Sequence, residues 1–195
     1  GQLVDRFAGA LLDLGVAPGE IVSIQLPNDW VFAALVLACG RIGAVANPLV
    51  PILRDREISF MLGRTASPVV IVAERYRGYD HAAMLDRVLT GLADQATADQ
   101  PTLEIRGFAV GLDAPVGRVE PFGSHFVDQR WEDTLDRAAL AQRALGPDDL
   151  AELQFTSGTT GEPKATAPIR LAQLPGDQGG FLVLLPVYRG DCAPP

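Results

Sequence analysis

Lysine is nearly missing from this chain of 195 residues: the 16 basic side chains are 15 arginines and one lysine, Lys164. Against 24 acidic residues they leave a net charge of −8. A nucleic-acid binder neutralises phosphates with clustered Lys and Arg, so this balance argues against that role. Cysteine is almost as scarce. Cys39 and Cys192 form neither a disulfide framework nor a Cys-x-x-Cys zinc pair. Free thiols in a reducing, cytoplasmic setting are therefore expected. The longest apolar run, Trp30 to Cys39, has ten residues, whereas a membrane span needs about 20. It reads as a buried helix, with Trp30 in the core. No basic segment precedes an apolar stretch at the start, so no signal peptide is expected. Gly1 stands where a Met would open a chain and falls inside a helical pattern, so the sequence is expected to begin within a longer protein.

The chain is 48% apolar, enough for a real core and too much for wholesale disorder. Leu3, Phe7, Leu11 and Leu14 recur at helical spacing, and Gly15 stops them. Ile21 to Leu26 reads as a strand. Asn28 or Asp29 can cap a helix over Trp30–Ile42. A short strand is expected over Ala44–Ala46, and a helix from Asp55 to Gly63. Val69 to Val72 are four β-branched residues, the pattern of a fully buried strand. Asp80 should cap a helix through Leu92. Asp94–Pro101 reads as a polar linker, Leu103–Val110 as strand and Gly111–Gly123 as irregular. Leu135–Leu145 should be helical, and Leu150–Phe155 a last strand. Strands alternating with helices imply an α/β fold with a mostly parallel sheet and flanking helices. In such folds ligands sit beyond the carboxyl ends of strands.

Beyond Phe155 stands Thr156-Ser157-Gly158-Thr159-Thr160-Gly161-Glu162-Pro163-Lys164. Gly158 and Gly161 permit backbone geometries that aim several N–H groups at one point. Thr156, Ser157, Thr159 and Thr160 add four neutral hydroxyl donors. Lys164 supplies a mobile positive charge, and Pro163 stiffens its approach. Such a run suits a polyphosphate. It is not the Gly-x-x-x-x-Gly-Lys-Ser/Thr loop, because counting from Gly158 puts Pro163 at the second glycine and Ala165 after the lysine. No Gly-x-Gly-x-x-Gly occurs. Taken singly, these residues are ordinary turn formers.

In this order, the run resembles the phosphate-binding signature of adenylate-forming enzymes: acyl-CoA synthetases, aryl-acid ligases, luciferases and peptide-synthetase adenylation domains. Gly15 to Asn28, Gly40 to Leu49 and Arg54 to Thr65 are similar to earlier segments of the same family. Arg77-Gly78-Tyr79-Asp80 is reminiscent of its branch acting on cyclic, aryl or medium-chain acids. The resemblance implies part of the large N-terminal domain of such an enzyme over 1–164. It implies ATP, Mg2+ and coenzyme A, a small carboxylic-acid substrate, and a place in fatty-acid metabolism. A carboxylate would attack the α-phosphate, and coenzyme A or a carrier-protein thiol would take the acyl group. Thr156, Ser157, Gly158, Thr159, Thr160, Gly161 and Lys164 would bind the ATP phosphates. No catalytic or metal-ligating residue is expected within the chain, because the family's remaining motifs lie downstream. A non-catalytic remnant is the competing expectation.

The likeness stops after Lys164. Ala165 to Pro195 hold five Pro and four Gly in 31 residues, with no Glu, Lys or His. This tail, 165–195, is expected to be anomalous, either frameshifted or disordered, and its run Phe181–Leu185 to lack a defined strand partner. Elsewhere the blander readings prevail. His81 and His125 are read as surface residues, Cys39 as a small core hydrophobe, and Arg75 and Arg77 as a solvated loop. Asp148-Asp149 reads as a turn, not a metal pair.

Overall fold

The computed structural model describes residues 1–95, 104–143, 145 and 149–155, together with the backbone of 156, 164–172 and 183–186. The helices are α1 (Gln2–Asp13), α2 (Trp30–Ile42), α3 (Asp55–Thr65), α4 (His81–Asp94) and α5 (Arg137–Gln142). The strands are β1 (Ile21–Gln25), β2 (Val45–Pro48), β3 (Val69–Ala73), β4 (Arg75–Tyr76), β5 (Tyr79–Asp80), β6 (Arg106–Val110), β7 (Val119–Pro121), β8 (Leu150–Thr156), β9 (Lys164–Ala172) and β10 (Val183–Pro186). One sheet runs β10-β9-β8-β2-β1-β3-β6-β7, with β4 and β5 forming a separate hairpin. The six strands from β8 to β7 are parallel; β9 and β10 pair antiparallel.

The connections account for the two layers of helix. From β1 the chain moves to β2 through α2, and from β3 it moves the opposite way to β6 through α4. Right-handed crossovers in opposite directions put those helices on opposite faces. Alternation along the strands matches. Val22, Ile24, Ala46, Ile71 and Phe108 pack with α1 and α2 around Phe7, Leu35, Phe122 and Phe126. Val70, Val72, Ala109 and Val119 pack with α3 and α4 around Ile58, Leu62, Met84 and Leu85. Helix starts follow the caps: Asp29 accepts from Phe32 N at 3.0 Å and Asp80 from Ala83 N at 2.9 Å. Gly43 ends α2 in the left-handed region, φ 77°.

Several readings are corrected. Trp30 opens α2 but is 63% exposed, because the buried stripe of that helix falls on Val31, Ala34, Leu35, Ala38, Cys39 and Ile42. His81 is fully buried, packed edge-on against Tyr76 and Tyr79. His125 stacks on Phe108, with ring centroids 5.6 Å apart. Gly111–Gly123 is not wholly irregular: Val119–Pro121 adds β7 to β6. Leu135 lies outside α5, which starts only after the Asp136 cap. Arg75 belongs to a hairpin and pairs with Asp80 at 3.0 Å. The run Phe181–Leu185 contains the start of β10, which pairs with β9 from Val183 to Pro186. β9 begins at Lys164. The expected linker Asp94–Pro101 falls mainly outside the described residues, as does Asp148.

Candidate phosphate site at the carboxyl edge of the sheet

Because β8 is parallel to β2, Thr156 arrives at the edge where β1 and β2 also end. Ser157, Gly158, Thr159, Thr160, Gly161, Glu162 and Pro163 lie outside the described residues. The two flanks of the run are described in backbone. Lys164 starts β9, which pairs antiparallel with β8 so that Thr156 and Lys164 are direct partners. Partners of this kind have Cα atoms about 4.5–5.5 Å apart. The chain therefore leaves the sheet edge after Thr156 and is back beside it at Lys164.

The neighbouring loop, from Leu49 to Arg54, joins β2 to α3 and is fixed by three side chains. Gln25 Nε2 donates to Val50 O at 3.2 Å and Leu53 O at 3.1 Å. Arg54 Nη1 donates to Pro51 O and Leu53 O, both at 3.0 Å. His81 places Nε2 2.9 Å from Pro51 O and Nδ1 3.2 Å from Tyr79 O. So held, the loop presents Val50 (54% exposed) and Ile52 (64%) to solvent. Phe155, half-buried, packs into the same cluster as Leu49. Below the loop a buried polar seam crosses the sheet: Asn47 Nδ2 donates to Ser23 Oγ at 2.8 Å, Ser23 meets Ser67 at 2.7 Å, and Ser67 meets Thr65 at 2.8 Å. Gln25 Oε1 and Asn47 Oδ1 are buried without a partner.

Asp55 of α3 and Arg87 of α4 form an ion pair. Arg87 Nε donates to Asp55 Oδ1 at 2.8 Å and Tyr79 Oη to Asp55 Oδ2 at 3.0 Å. The Arg87 hydrogen bond holds the Asp55 carboxyl below the usual range, and loss of solvation raises the Tyr79 phenol. The Arg54 guanidinium lies 4.0 Å from the Tyr79 ring centroid, a cation–π contact. Burial pushes the Cys39 thiol up to about 12, which removes it as a nucleophile. Among the described residues no group of three His, Cys, Asp or Glu is placed to hold a metal ion. No helix among them is long and apolar enough to cross a membrane.

Sequence reasoning missed the role of Gln25 and His81 in fixing the loop at Leu49–Arg54. A signal existed at Gln25, a long polar residue ending an apolar strand. His81 gave none, since it stands beside the polar cap Asp80 and looks exposed.

Comparison with known proteins adds an independent line. The family described as AMP-binding enzyme matches residues 1–167. A salicylyl-CoA synthase / salicylate adenylyltransferase of Streptomyces sp is 32% identical over 169 residues, covering 84% of this chain and 28% of that protein. A salicyl-AMP ligase / salicyl-S-ArCP synthetase of Mycobacterium tuberculosis is 32% identical over 197 residues, covering 94% of this chain and 31% of the relative. Among solved structures, a Mycobacterium tuberculosis fatty acyl CoA synthetase superposes with a TM-score of 0.56 at 26% identity, covering 84% of this chain and 27% of that one. The chain thus spans less than a third of the length of these relatives.

Proposed function

This chain belongs to the AMP-binding family of adenylate-forming enzymes, and we propose that its part in that chemistry is to hold the β- and γ-phosphates of ATP during activation of a carboxylic acid. The observation that carries the reading is the direct pairing of Thr156 with Lys164 at the carboxyl edge of the sheet. It returns the single lysine to the strand end from which the hydroxyl-rich run departs.

In the proposed reaction, a carboxylate oxygen attacks the α-phosphorus of ATP. The bond to the β,γ unit breaks, acyl-adenylate forms and pyrophosphate leaves. Thr156, Ser157, Thr159 and Thr160 donate to the phosphate oxygens, with backbone N–H groups at Gly158 and Gly161. Lys164 balances charge on the departing pyrophosphate. The contribution is electrostatic and positional. Charge-assisted hydrogen bonds are worth about 1.5–3 kcal/mol each, so a few convergent donors suffice to hold the triphosphate. Mg2+ would be carried chiefly by the phosphate oxygens of ATP and would neutralise part of their charge.

Coenzyme A is the acceptor we favour, since relatives named for CoA ligation match most of this chain. A carrier-protein thiol is the second reading, favoured by the salicyl-S-ArCP synthetase that matches 94% of it. Acting alone, the chain is proposed to be catalytically silent, as it covers only 28–31% of those enzymes. A cytoplasmic location fits the ATP requirement and the free, buried Cys39.

Calorimetric titration with ATP, in parallel with Lys164→Ala, tests the site. The variant should bind at least about tenfold more weakly, as expected from loss of one charge-assisted bond. Equal binding would remove the assignment. Pyrophosphate exchange should stay at background with the chain alone; exchange that depends on added carboxylic acid would overturn the silent reading.

A further inference from the structure

His81 opens α4 and is fully buried, yet it takes no part in the proposed reaction. Both of its ring nitrogens face backbone carbonyl oxygens, Nε2 at 2.9 Å from Pro51 O and Nδ1 at 3.2 Å from Tyr79 O. A carbonyl oxygen can only accept. A neutral imidazole carries one N–H and one lone pair, whereas the imidazolium carries two N–H groups. Only the protonated ring can therefore donate to both. So placed, it clamps three pieces of chain. Tyr79 belongs to the β4–β5 hairpin and Pro51 to the loop Leu49–Arg54, and the His81 backbone N–H donates to Glu74 O, just after β3, at 2.9 Å. The charges on the surrounding elements are engaged elsewhere. Arg75 pairs with Asp80 at 3.0 Å, and Arg77 lies over the Tyr76 ring. Asp55 pairs with Arg87, and the Glu74 carboxylate lies beside Gly111. Arg54 gives its guanidinium to loop carbonyls and its backbone N–H to Glu57 Oε2 at 3.2 Å. The rings of Tyr76 and Tyr79 close on His81 edge-on. The proton on His81 is thus held by carbonyl dipoles and not by an ion pair, and it is the removable part of the clamp.

We propose that His81 is a pH-sensitive latch on the loop Leu49–Arg54, closed when its imidazole is protonated and released when it is neutral. On losing a proton the ring keeps one N–H. Pro51 O retains another donor, Arg54 Nη1 at 3.0 Å, so Nε2 is the nitrogen that gives its proton up. Its lone pair then faces the lone pairs of the Pro51 oxygen, and the two repel. The sign follows: the grip is present at low pH and is lost as pH rises. Gln25 still holds Val50 O and Leu53 O, so release frees the tip at Pro51 and Ile52 rather than the whole connection. β2 and β8 are parallel, with Ala46 opposite Glu152, so this loop and the residues after Phe155 leave the sheet at the same edge. The latch therefore acts on one border of the candidate site. The inference stands on the contacts of His81 and not on the phosphate assignment.

Two readouts on the chain without nucleotide test it. Long-range proton–nitrogen NMR, assigned by the signal missing from His81→Gln, counts the protons on the ring. It is recorded at about pH 5.5 and about pH 8.5, on either side of the range in which imidazole changes charge. Two protons are expected at the lower pH and one, on Nδ1, at the higher. A nitroxide on Ile52→Cys reports the loop, since Ile52 is exposed and, with Cys192→Ser, the other cysteine is the buried Cys39. The released population should rise at least about tenfold between the two pH values, as expected from loss of one charge-assisted hydrogen bond. The same label in His81→Gln, whose side chain does not titrate, should be indifferent to pH. Circular dichroism checks that this variant folds; if it does not, the NMR count and the label in the His81-containing chain still decide. Four results overturn the proposal: a ring in one protonation state at both pH values, a remaining N–H on Nε2, a proton lost with the label unchanged, or a folded His81→Gln that keeps the pH response.

Discussion

The two halves of the sheet differ in how they are held. From β2 to β6, strand side chains on both faces of the sheet are buried, and Val119 of β7 joins the same core. At β8 the pairing is less regular: β8 meets β2 with Ala46 opposite Glu152, and its ladder with β9 is interrupted by two register shifts. Gln154 is exposed while its neighbours Leu153 and Phe155 are half-buried. The fully buried large side chains among the described residues lie before β8, Phe7, Ile24, Ile71 and Phe108 among them. Beside the strand end at Thr156, the loop at Leu49–Arg54 is pinned by Gln25, Arg54 and His81.

Substitutions should separate the halves. The largest effect is expected at Phe108, fully buried between Phe126 and His125; Phe108→Ala should cost about 3–5 kcal/mol in urea unfolding. A loss under 1 kcal/mol would mean that the covered half is not the stable one. Gly43→Ala should cost about 1–3 kcal/mol. Its φ is 77° and an added Cβ would sit 2.6 Å from the Arg143 carbonyl oxygen. Leu153→Ala, on the open half, should cost no more than about 1 kcal/mol, since half-burial forfeits much of the 1.5–3 kcal/mol a buried Leu yields. A cost matching Phe108→Ala would erase the contrast. Asp29→Ala should cost about 1 kcal/mol by uncapping α2, read as a lower thermal midpoint.

The last test varies pH. Arg6 hydrogen-bonds Glu132 through Nε at 2.8 Å, tying α1 to the turn Trp131–Asp133. That bond lowers the Glu132 carboxyl from 4.5 to about 2. A carboxyl depressed on folding adds stability that is fully present above its unfolded value and is lost as pH falls through the folded one. The share owed to Glu132 should accordingly vanish between about pH 4.5 and 2. Glu132→Gln should flatten the acid limb of stability over that window and leave the open half unchanged. An identical acid profile in both proteins would show that the pair does not contribute.

Much of the fold was legible because local rules agreed. Asp29 and Asp80 cap the helices they were expected to cap, the β-branched run became β3, and the Ser/Thr/Gly run follows a strand as its order implied. What failed shared one cause. Trp30 and His81 were judged by residue type and neighbours, yet burial depends on which side of a helix meets the sheet. The three-residue β7 and the two-residue strands β4 and β5 are too short to show a periodicity at all.

By itself, the sequence determined the class of fold and the family, because alternating strand and helix patterns and the nine consecutive residues from Thr156 to Lys164 are local properties. Tertiary structure alone decided that Thr156 and Lys164 face each other, that Gln25 and His81 fix the adjoining loop, and that both ring nitrogens of His81 meet carbonyl oxygens. Each of these joins residues distant in sequence through strand order and register, which no local spacing encodes.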